Sequence, residues 1–309
     1  MRIYNHMEAK PKIIVILGQT STGKSDFAVQ VAKTIHGEII SADSRQVYKG
    51  MDLGTGKITK KEMQKVPHHL LDVAPPSKVF SVSDYKKLAD KKITEILQNK
   101  NIPILCGGTG FYIDAVVDGI ILPEVSPNKN LRAKLTKKSP EQLFKLLQKL
   151  DPVRAKTIDK QNPVRLIRAI EIATALGSVP TLPRCPTPGK YQSLKIGLIL
   201  PESVLREKIH KRLEVRIKKG MLKEIANLHK QGLSWKRLED LGLEYRYGAL
   251  YLQGKITKIE MLEEIRNKSW QYAKRQQTWF KRDSSITWIN PQKTKDVNKI
   301  MKKIKEFLK

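Results

Sequence analysis

Residues 18–25, GQTSTGKS, satisfy G-x-x-x-x-G-K-[ST] in full, and the segments on either side confine the run to one kind of local fold. Residues 12–17 are a short, β-branched apolar stretch of the kind buried in a sheet. Phe27, Val31 and Ile35 then recur at helical spacing. A strand that enters a helix through such a loop commits this part of the chain to α/β architecture. The backbone of Gly18, Thr20, Ser21, Thr22 and Gly23 is expected to aim N–H groups at a polyphosphate. Lys24 would neutralise its oxygens, Ser25 would hold Mg²⁺, and the helix N-terminus would add its positive dipole end. The bland alternative is a Gly/Ser-rich turn that merely fits the pattern, and the correct flanks weigh against it. The loop does not identify the phosphoester.

The alternation continues. Residues 38–41 read as a second strand delivering Asp43 and Ser44, and Ser81 with Asp84 resembles a capping box before a helical stripe at Tyr85, Leu88, Ile93, Ile96 and Leu97. Residues 102–106 form a third strand ending at Gly107, Gly108, Thr109 and Gly110. The expected fold is α/β, a P-loop NTPase-like parallel sheet flanked by helices, with the three loops converging at the carboxyl ends of the strands. The pattern changes after Leu122-Pro123-Glu124. Residues 124–189 read as an inserted all-helical subdomain, and the core comprises residues 1–123 and 190–309. Within the insert Asn162, Pro163 and Gly177 supply an N-cap, a first-turn proline and a C-terminal glycine. Pro180, Pro183, Pro186 and Pro188 suggest a linker over 180–189. Residues 194–200 resume a core strand, Thr257 and Glu260 form another capping box, and helices run to near Asp283.

With 59 Lys and Arg against 30 Asp and Glu, the formal net charge is +29. Such an excess attracts polyanions and releases counterions when it neutralises phosphates, which favours nucleic acid as the large partner. A uniformly lysine-rich surface is the alternative, and Lys86-Lys87 and Lys91-Lys92 look like solvated helix faces. Cys106 and Cys185 are the only cysteines, so neither a disulfide framework nor a four-thiolate zinc site is available, and a cytoplasmic setting is expected. No stretch approaches the roughly 20 apolar residues of a membrane span, and residues 1–10 are too polar for a secretory signal.

A carboxylate at the position of Asp43 has three available jobs, as Mg²⁺ ligand, general base or helix cap, and its place beside a phosphate loop favours chemistry. Asp43, Ser44, Arg45 and Gln46 put four hydrogen-bonding side chains in one loop, which suits a planar polar ligand. The glycines around Thr109 allow close approach to a ligand, or simply make a tight strand-to-helix turn. No acidic residue of Walker B type follows residues 104–106, which weakens an ATPase or helicase reading.

Six ordered blocks closely resemble the tRNA dimethylallyltransferase family: residues 18–25, 43–57, 67–72, 107–112, 162–171 and 273–280. The resemblance covers nearly the whole chain and is of the compact type without a Cys/His finger. It implies transfer of a dimethylallyl group from its diphosphate to the exocyclic amine, N6, of the adenosine just 3′ of the anticodon in tRNAs that read codons starting with U. By this similarity Asp43 takes the amine proton and Thr109 hydrogen-bonds near the reacting centre. Lys24, the loop N–H groups, Mg²⁺ held through Ser25, and Arg212 would then stabilise the leaving diphosphate. The tRNA-facing residues by the same match are Asp43 to Gln46, Thr109, and Val164, Arg165, Leu166, Ile167 and Arg168. Leu241, Gly242, Tyr245 and Arg246 join them, as does Arg132 in the insert. Arg165 and Arg168 are alternatively ordinary surface or packing arginines. Trp270, Tyr272, Trp279 and Phe280 are either stacking platforms or core.

This chain departs from the family in two places. It carries Gly242-Leu243-Glu244-Tyr245-Arg246 where Gly-Tyr-Arg is usual, and Gly56 where alanine is common. Competing readings are a P-loop kinase of a small metabolite, an adenylate dimethylallyltransferase acting on free nucleotide, and a noncatalytic RNA-binding module. The inserted helices and the basic excess favour tRNA over a free nucleotide, and the intact Lys24, Ser25, Asp43 and Thr109 argue against a decayed site. A monomer is expected.

Overall fold

The first turn of structure is the one the motif demands: strand β1 (Lys12–Gly18) feeds the phosphate loop, and helix α1 (Lys24–Ile35) follows. This computed structural model describes residues 10–120, 122–180 and 189–309. The proline-rich linker reading falls almost wholly on residues 181–188, which with Cys185 and residues 1–9 lie outside the described residues. The chain divides into two units, Met1–Gly119 with Pro188–Lys309, and Ile120–Thr187.

In the larger unit β2 (Gly37–Ala42), the short helix α2 (Lys60–Met63), β3 (His68–His69), α3 (Val82–Gln98), β4 (Ile102–Gly107) and α4 (Gly110–Val117) follow α1. The smaller unit holds α5 (Lys129–Leu135), α6 (Pro140–Leu150), α7 (Pro152–Ala155) and α8 (Pro163–Leu176). The larger unit resumes with β5 (Gln192–Leu198), α9 (Glu202–Lys218), α10 (Met221–Lys230), α11 (Trp235–Asp240), α12 (Leu243–Leu252), α13 (Lys258–Phe280), β6 (Thr287–Ile289) and α14 (Thr294–Leu308). The strands pair in the order β3-β2-β4-β1-β5-β6, all parallel, as a chain that reaches each new strand through a crossover must arrange them. The parallel sheet flanked by helices is the fold expected from the sequence. Strands β3 and β6 were not legible there, because two and three residues are too few to display a period.

Alternation along β1 feeds two apolar layers. Ile13, Val15 and Leu17 pack with Tyr85 and Ile93 of α3, Tyr112 of α4 and Ile265 of α13. Ile14 and Ile16 point the other way, onto Phe27 and Val31 of α1 and Ile300 and Ile304 of α14. Each such buried side chain stabilises the fold by about 1.5–3 kcal/mol, so the strand that carries the phosphate loop is among the most firmly held parts of the unit. Both capping boxes are formed: Ser81 with Asp84 opens α3, and Thr257 with Glu260 opens α13. Leu88, counted in the stripe of α3, is exposed instead.

The smaller unit is held by Leu143 and Leu147 of α6 against Leu166 and Ile170 of α8. The side chain of Asn162 accepts the Arg165 N–H at 3.1 Å, capping α8 as its sequence predicts. Glu171 is buried in this unit and is the hub of its polar contacts. It accepts from Arg132 Nε at 2.9 Å and Nη2 at 2.7 Å, from Arg168 Nη1 at 2.6 Å, and from the Asn128 N–H at 2.6 Å. Burial pushes this carboxyl up, but the two guanidinium groups and the N–H outweigh it and hold the pKa at about 2. Glu171→Ala is expected to destabilise the unit by about 3 kcal/mol at neutral pH, because it strands two arginines beside a buried hole. The native pKa lies below the ordinary 4.5, so this stabilisation is complete above that pH and fades as the pH falls toward 2. Urea unfolding of both proteins at pH 7 and pH 3, read by hydrogen exchange in α8, should show the gap narrowing at the lower pH.

Candidate active site

Strand register sets three loop ends level. Gly107 of β4 pairs with Leu17 of β1 on one side and with Ala42 of β2 on the other. Gly18, Asp43 and Gly108 therefore leave the sheet together at its carboxyl edge, where open α/β sheets bind ligands. The backbones approach so closely that a Cβ on Gly107 would lie 2.2 Å from the Ala42 carbonyl oxygen. On Gly18, at φ 139°, it would lie 2.5 Å from that of Leu198.

The phosphate loop borders a cavity of about 530 Å³. Ser21 (φ 63°) and Gly23 (φ 89°) take left-handed backbone, the conformation that curls consecutive N–H groups into an anion nest, and α1 begins at Lys24 on the same rim. Thr22, expected among the diphosphate-binding residues, has its side chain turned inward: it is fully buried and donates to the Gln19 carbonyl at 2.8 Å. Only its backbone is left for a phosphate. Ser25 stands exposed on the cavity wall with Asp26 and Glu62 nearby.

Among the cations that line this cavity are Lys24, Arg212 and Arg216. Lys24 Nζ donates to the Gln19 carbonyl at 2.6 Å, and desolvation lowers its pKa to about 8, with Arg212 adding to the fall and Cys106 and Asp43 opposing it. Arg212 of α9 donates to Thr20 Oγ1 at 3.3 Å and to the Gly56 carbonyl at 3.2 Å; desolvation and then Arg216 bring it down to about 10. Arg216 donates to the Gly54 carbonyl at 3.2 Å and to Glu244 Oε1 at 2.6 Å. Positive groups held against burial and mutual repulsion gain most from an entering anion, which relieves both.

A second cavity of about 270 Å³ shares part of its wall with the first, including Asp43, Thr55, Arg212, Arg216 and Tyr272. Asp43 Oδ1 accepts the N–H groups of Arg45 at 2.8 Å and Gln46 at 3.4 Å, while Oδ2 has no hydrogen-bond partner among the described residues. Thr109 Oγ1 accepts the Ser44 N–H at 3.0 Å, tying the second loop to the third. Two polar side chains at this sheet edge, Asp43 and Thr109, are thus tied to the backbone of the second loop.

Two braces fix this edge from outside. Gln276 of α13 accepts the Thr20 N–H at 2.8 Å and donates to the Gly108 carbonyl at 2.9 Å, and Gln19 Nε2 donates to the Ala273 carbonyl at 3.2 Å. Glu224 of α10 accepts the N–H groups of Asp52 at 2.9 Å, Leu53 at 2.7 Å and Gly54 at 3.0 Å, and the Tyr245 hydroxyl at 2.7 Å. This carboxylate holds the segment whose Gly54 and Gly56 carbonyls orient the two arginines. Arg216, Glu224 and Gln276 were not singled out from the sequence. Arg216 had a signal, lying four residues after Arg212 on one helix face, whereas Glu224 acts on residues about 170 positions away and had none.

The residues expected to face tRNA separate by environment. Arg45 and Arg246 are exposed, and Ser44 and Gln46 are half-buried beside Asp43. Leu241, Gly242 and Tyr245 border the second cavity, but the Leu241 and Tyr245 side chains are buried and Tyr245 is committed to Glu224. In the smaller unit Val164 (75 % exposed) and Arg165 are open to solvent. Leu166 is core there, Ile167 packs against that core, and Arg132 and Arg168 are paired with Glu171, so packing accounts for these four. Among the aromatics, Phe280 is core, and Trp279 donates its indole N–H to Asp114 at 3.0 Å. Trp270 stacks under Arg206, and Tyr272 alone of the four lines the cavities.

A parallel sheet whose phosphate loop opens on a cation-lined chamber, adjoined at a carboxylate by a second chamber, is the architecture of a group-transferring enzyme of the P-loop type. The chain belongs to the IPP transferase family, whose sequence model matches residues 46–283. Among curated relatives, the tRNA dimethylallyltransferase 2 of Treponema denticola is 46 % identical over 288 residues, covering 91 % of this chain and 96 % of its own. The tRNA dimethylallyltransferase of Halothermothrix orenii is 38 % identical, covering 96 % and 92 %. Among solved structures, the tRNA isopentenylpyrophosphate transferase of Bacillus halodurans superposes with TM-score 0.73 at 35 % identity over 97 % of both chains. A eukaryotic dimethylallyltransferase acting on tRNA gives TM-score 0.74 at 25 % identity, covering 95 % of this chain and 78 % of that one. Among the described residues no helix is long and apolar enough to cross a membrane.

Proposed function

We propose that the chain transfers a dimethylallyl group from dimethylallyl diphosphate to N6 of the adenosine 3′-adjacent to the anticodon in tRNAs reading UNN codons, releasing diphosphate. The observation that carries this reading is the meeting of an anion-binding chamber with a second chamber at one carboxylate, Asp43. The diphosphate sits on the loop N–H groups with Lys24 and Arg212 around it, which leaves the allylic carbon directed toward the second chamber. The adenine enters that chamber from an anticodon loop, whose unpaired bases are the part of RNA that proteins read most readily. Extruding the base costs a few kcal/mol, which contacts from Ser44, Arg45, Gln46 and the exposed Arg246 help to offset. The net charge of +29 supports a polyanionic partner over a free nucleotide.

The proposed chemistry is divided among these residues. Asp43 Oδ2 accepts the proton released by the amine, and Thr109 orients the amine beside it. Mg²⁺ fits as a shared ion: no group of three or more His, Cys, Asp or Glu side chains among the described residues could hold a metal by itself, and a hard cation of this kind takes most of its oxygens from phosphates. Ser25 would hold it, and it would neutralise charge on the departing diphosphate. The proposed enzyme is a monomer acting in the cytoplasm, where tRNA is found. The test is incubation with labelled dimethylallyl diphosphate, Mg²⁺ and either unmodified tRNA or AMP. Label is expected in tRNA alone, at the adenosine 3′ of the anticodon; label in AMP, or phosphate transfer from ATP to a small metabolite, would displace the proposal.

A further inference from the structure

Tyr272 lies where the two cavities meet. Among the described residues it is the one aromatic side chain that lines both, and Asp43, Arg212 and Arg216 share that junction with it. Helix α13 holds the ring in place. One turn further along, Gln276 grips the Thr20 N–H and the Gly108 carbonyl, and the adjacent Ala273 carbonyl receives Gln19. The Tyr272 hydroxyl lies close to Thr109. Burial, and then Asp43, raise the phenol far above its ordinary value, so the ring stays neutral while the enzyme works.

Resting on the function proposed above, we infer that Tyr272 is a further catalytic residue, its ring face stabilising the positive charge that develops on the allylic carbon as it passes from the diphosphate chamber to the adenine chamber. In that step the carbon–oxygen bond to the diphosphate breaks and its electron pair leaves with the oxygen. The amine nitrogen forms the new carbon–nitrogen bond with its lone pair, and Asp43 takes the displaced proton. The ring of Tyr272 exchanges no atom or electron. It supplies a negative quadrupole face at a junction that Arg212 and Arg216, which would repel an allylic cation, share with the Asp43 carboxylate. Arg212 and Arg216 draw the diphosphate back while Tyr272 offers the carbon a favourable way forward.

The experiment is a single-turnover series on the full chain with tRNA and labelled dimethylallyl diphosphate. Tyr272→Phe is expected to transfer within about threefold of wild type, and Tyr272→Leu about 30-fold more slowly, with tRNA affinity unchanged in both. Phenylalanines carrying one, two and three ring fluorines at position 272 have nearly constant volume and a steadily weaker ring face. Their log rates are expected to fall linearly with fluorine count. A flat fluorine series, or Tyr272→Phe as slow as Tyr272→Leu, overturns the inference and leaves the hydroxyl or simple packing as the role. If wild-type protein labels no tRNA, it is the proposed function that has failed, and the wild-type arm reports that separately.

Discussion

Asp43→Ala is expected to lower the single-turnover rate of dimethylallyl transfer by about 10³-fold, within the span that a general base contributes, with tRNA affinity changed by no more than a few fold. The geometry separates two jobs within one side chain. Oδ1 closes a turn by accepting the N–H groups of Arg45 and Gln46, and Oδ2 is the oxygen left over for the substrate. Alanine removes both. Asp43→Asn keeps an oxygen for the turn and removes only the basicity, so it should be as slow as alanine while preserving the loop. Binding is expected to survive in either variant, because Ser44 stays tied to Thr109 through its own N–H and the cationic wall of the chamber comes from other elements. If Asp43→Asn transferred at a rate near wild type, the carboxylate would be a loop brace, and the proton acceptor would have to be sought elsewhere.

The contrast between Asp43 and Glu224 shows what a sequence makes legible. Asp43 stands one residue past a strand end, beside a motif whose backbone geometry is dictated by its glycines, so its neighbourhood follows from local rules about strands and loops. Glu224 sits in the middle of an amphipathic helix with no motif around it. Its three backbone N–H partners lie in a loop that only the packing of α10 brings near. The same distinction explains the arginines of the smaller unit. The sequence puts Arg132 among the RNA-facing residues and leaves Arg168 open between that and packing, because burial of their partner Glu171 on an otherwise apolar helix face depends on what packs against it. The central strands were legible because β1 and β4 are dense apolar runs and β5 carries Leu194, Ile196 and Leu198 in alternation, whereas β3 and β6 are strands only because a neighbouring strand offers them an edge.

Lys24→Ala is expected to slow transfer by about 10²- to 10³-fold, the usual effect of losing one preorganised contact to developing negative charge. The wild-type residue should also leave a signature in pH. In the free enzyme desolvation holds the Lys24 pKa at about 8. A bound diphosphate places an opposite charge beside the amine and raises that pKa again, so above pH 8 binding takes up a proton. The dissociation constant for dimethylallyl diphosphate is therefore expected to be level below pH 8 and to rise toward about tenfold per pH unit above it. Lys24→Arg, whose guanidinium stays charged throughout, should remove the bend near pH 8, even where the bulkier group seats the substrate poorly. Arg212, held at about 10, titrates too late to mimic the effect. Calorimetric titration between pH 7 and 9.5 in two buffers of different ionisation enthalpy reads the proton uptake directly. A constant affinity with no proton taken up would mean that the loop keeps Lys24 charged before any anion arrives. A charged Lys24 would then contribute equally to diphosphate binding across the whole range.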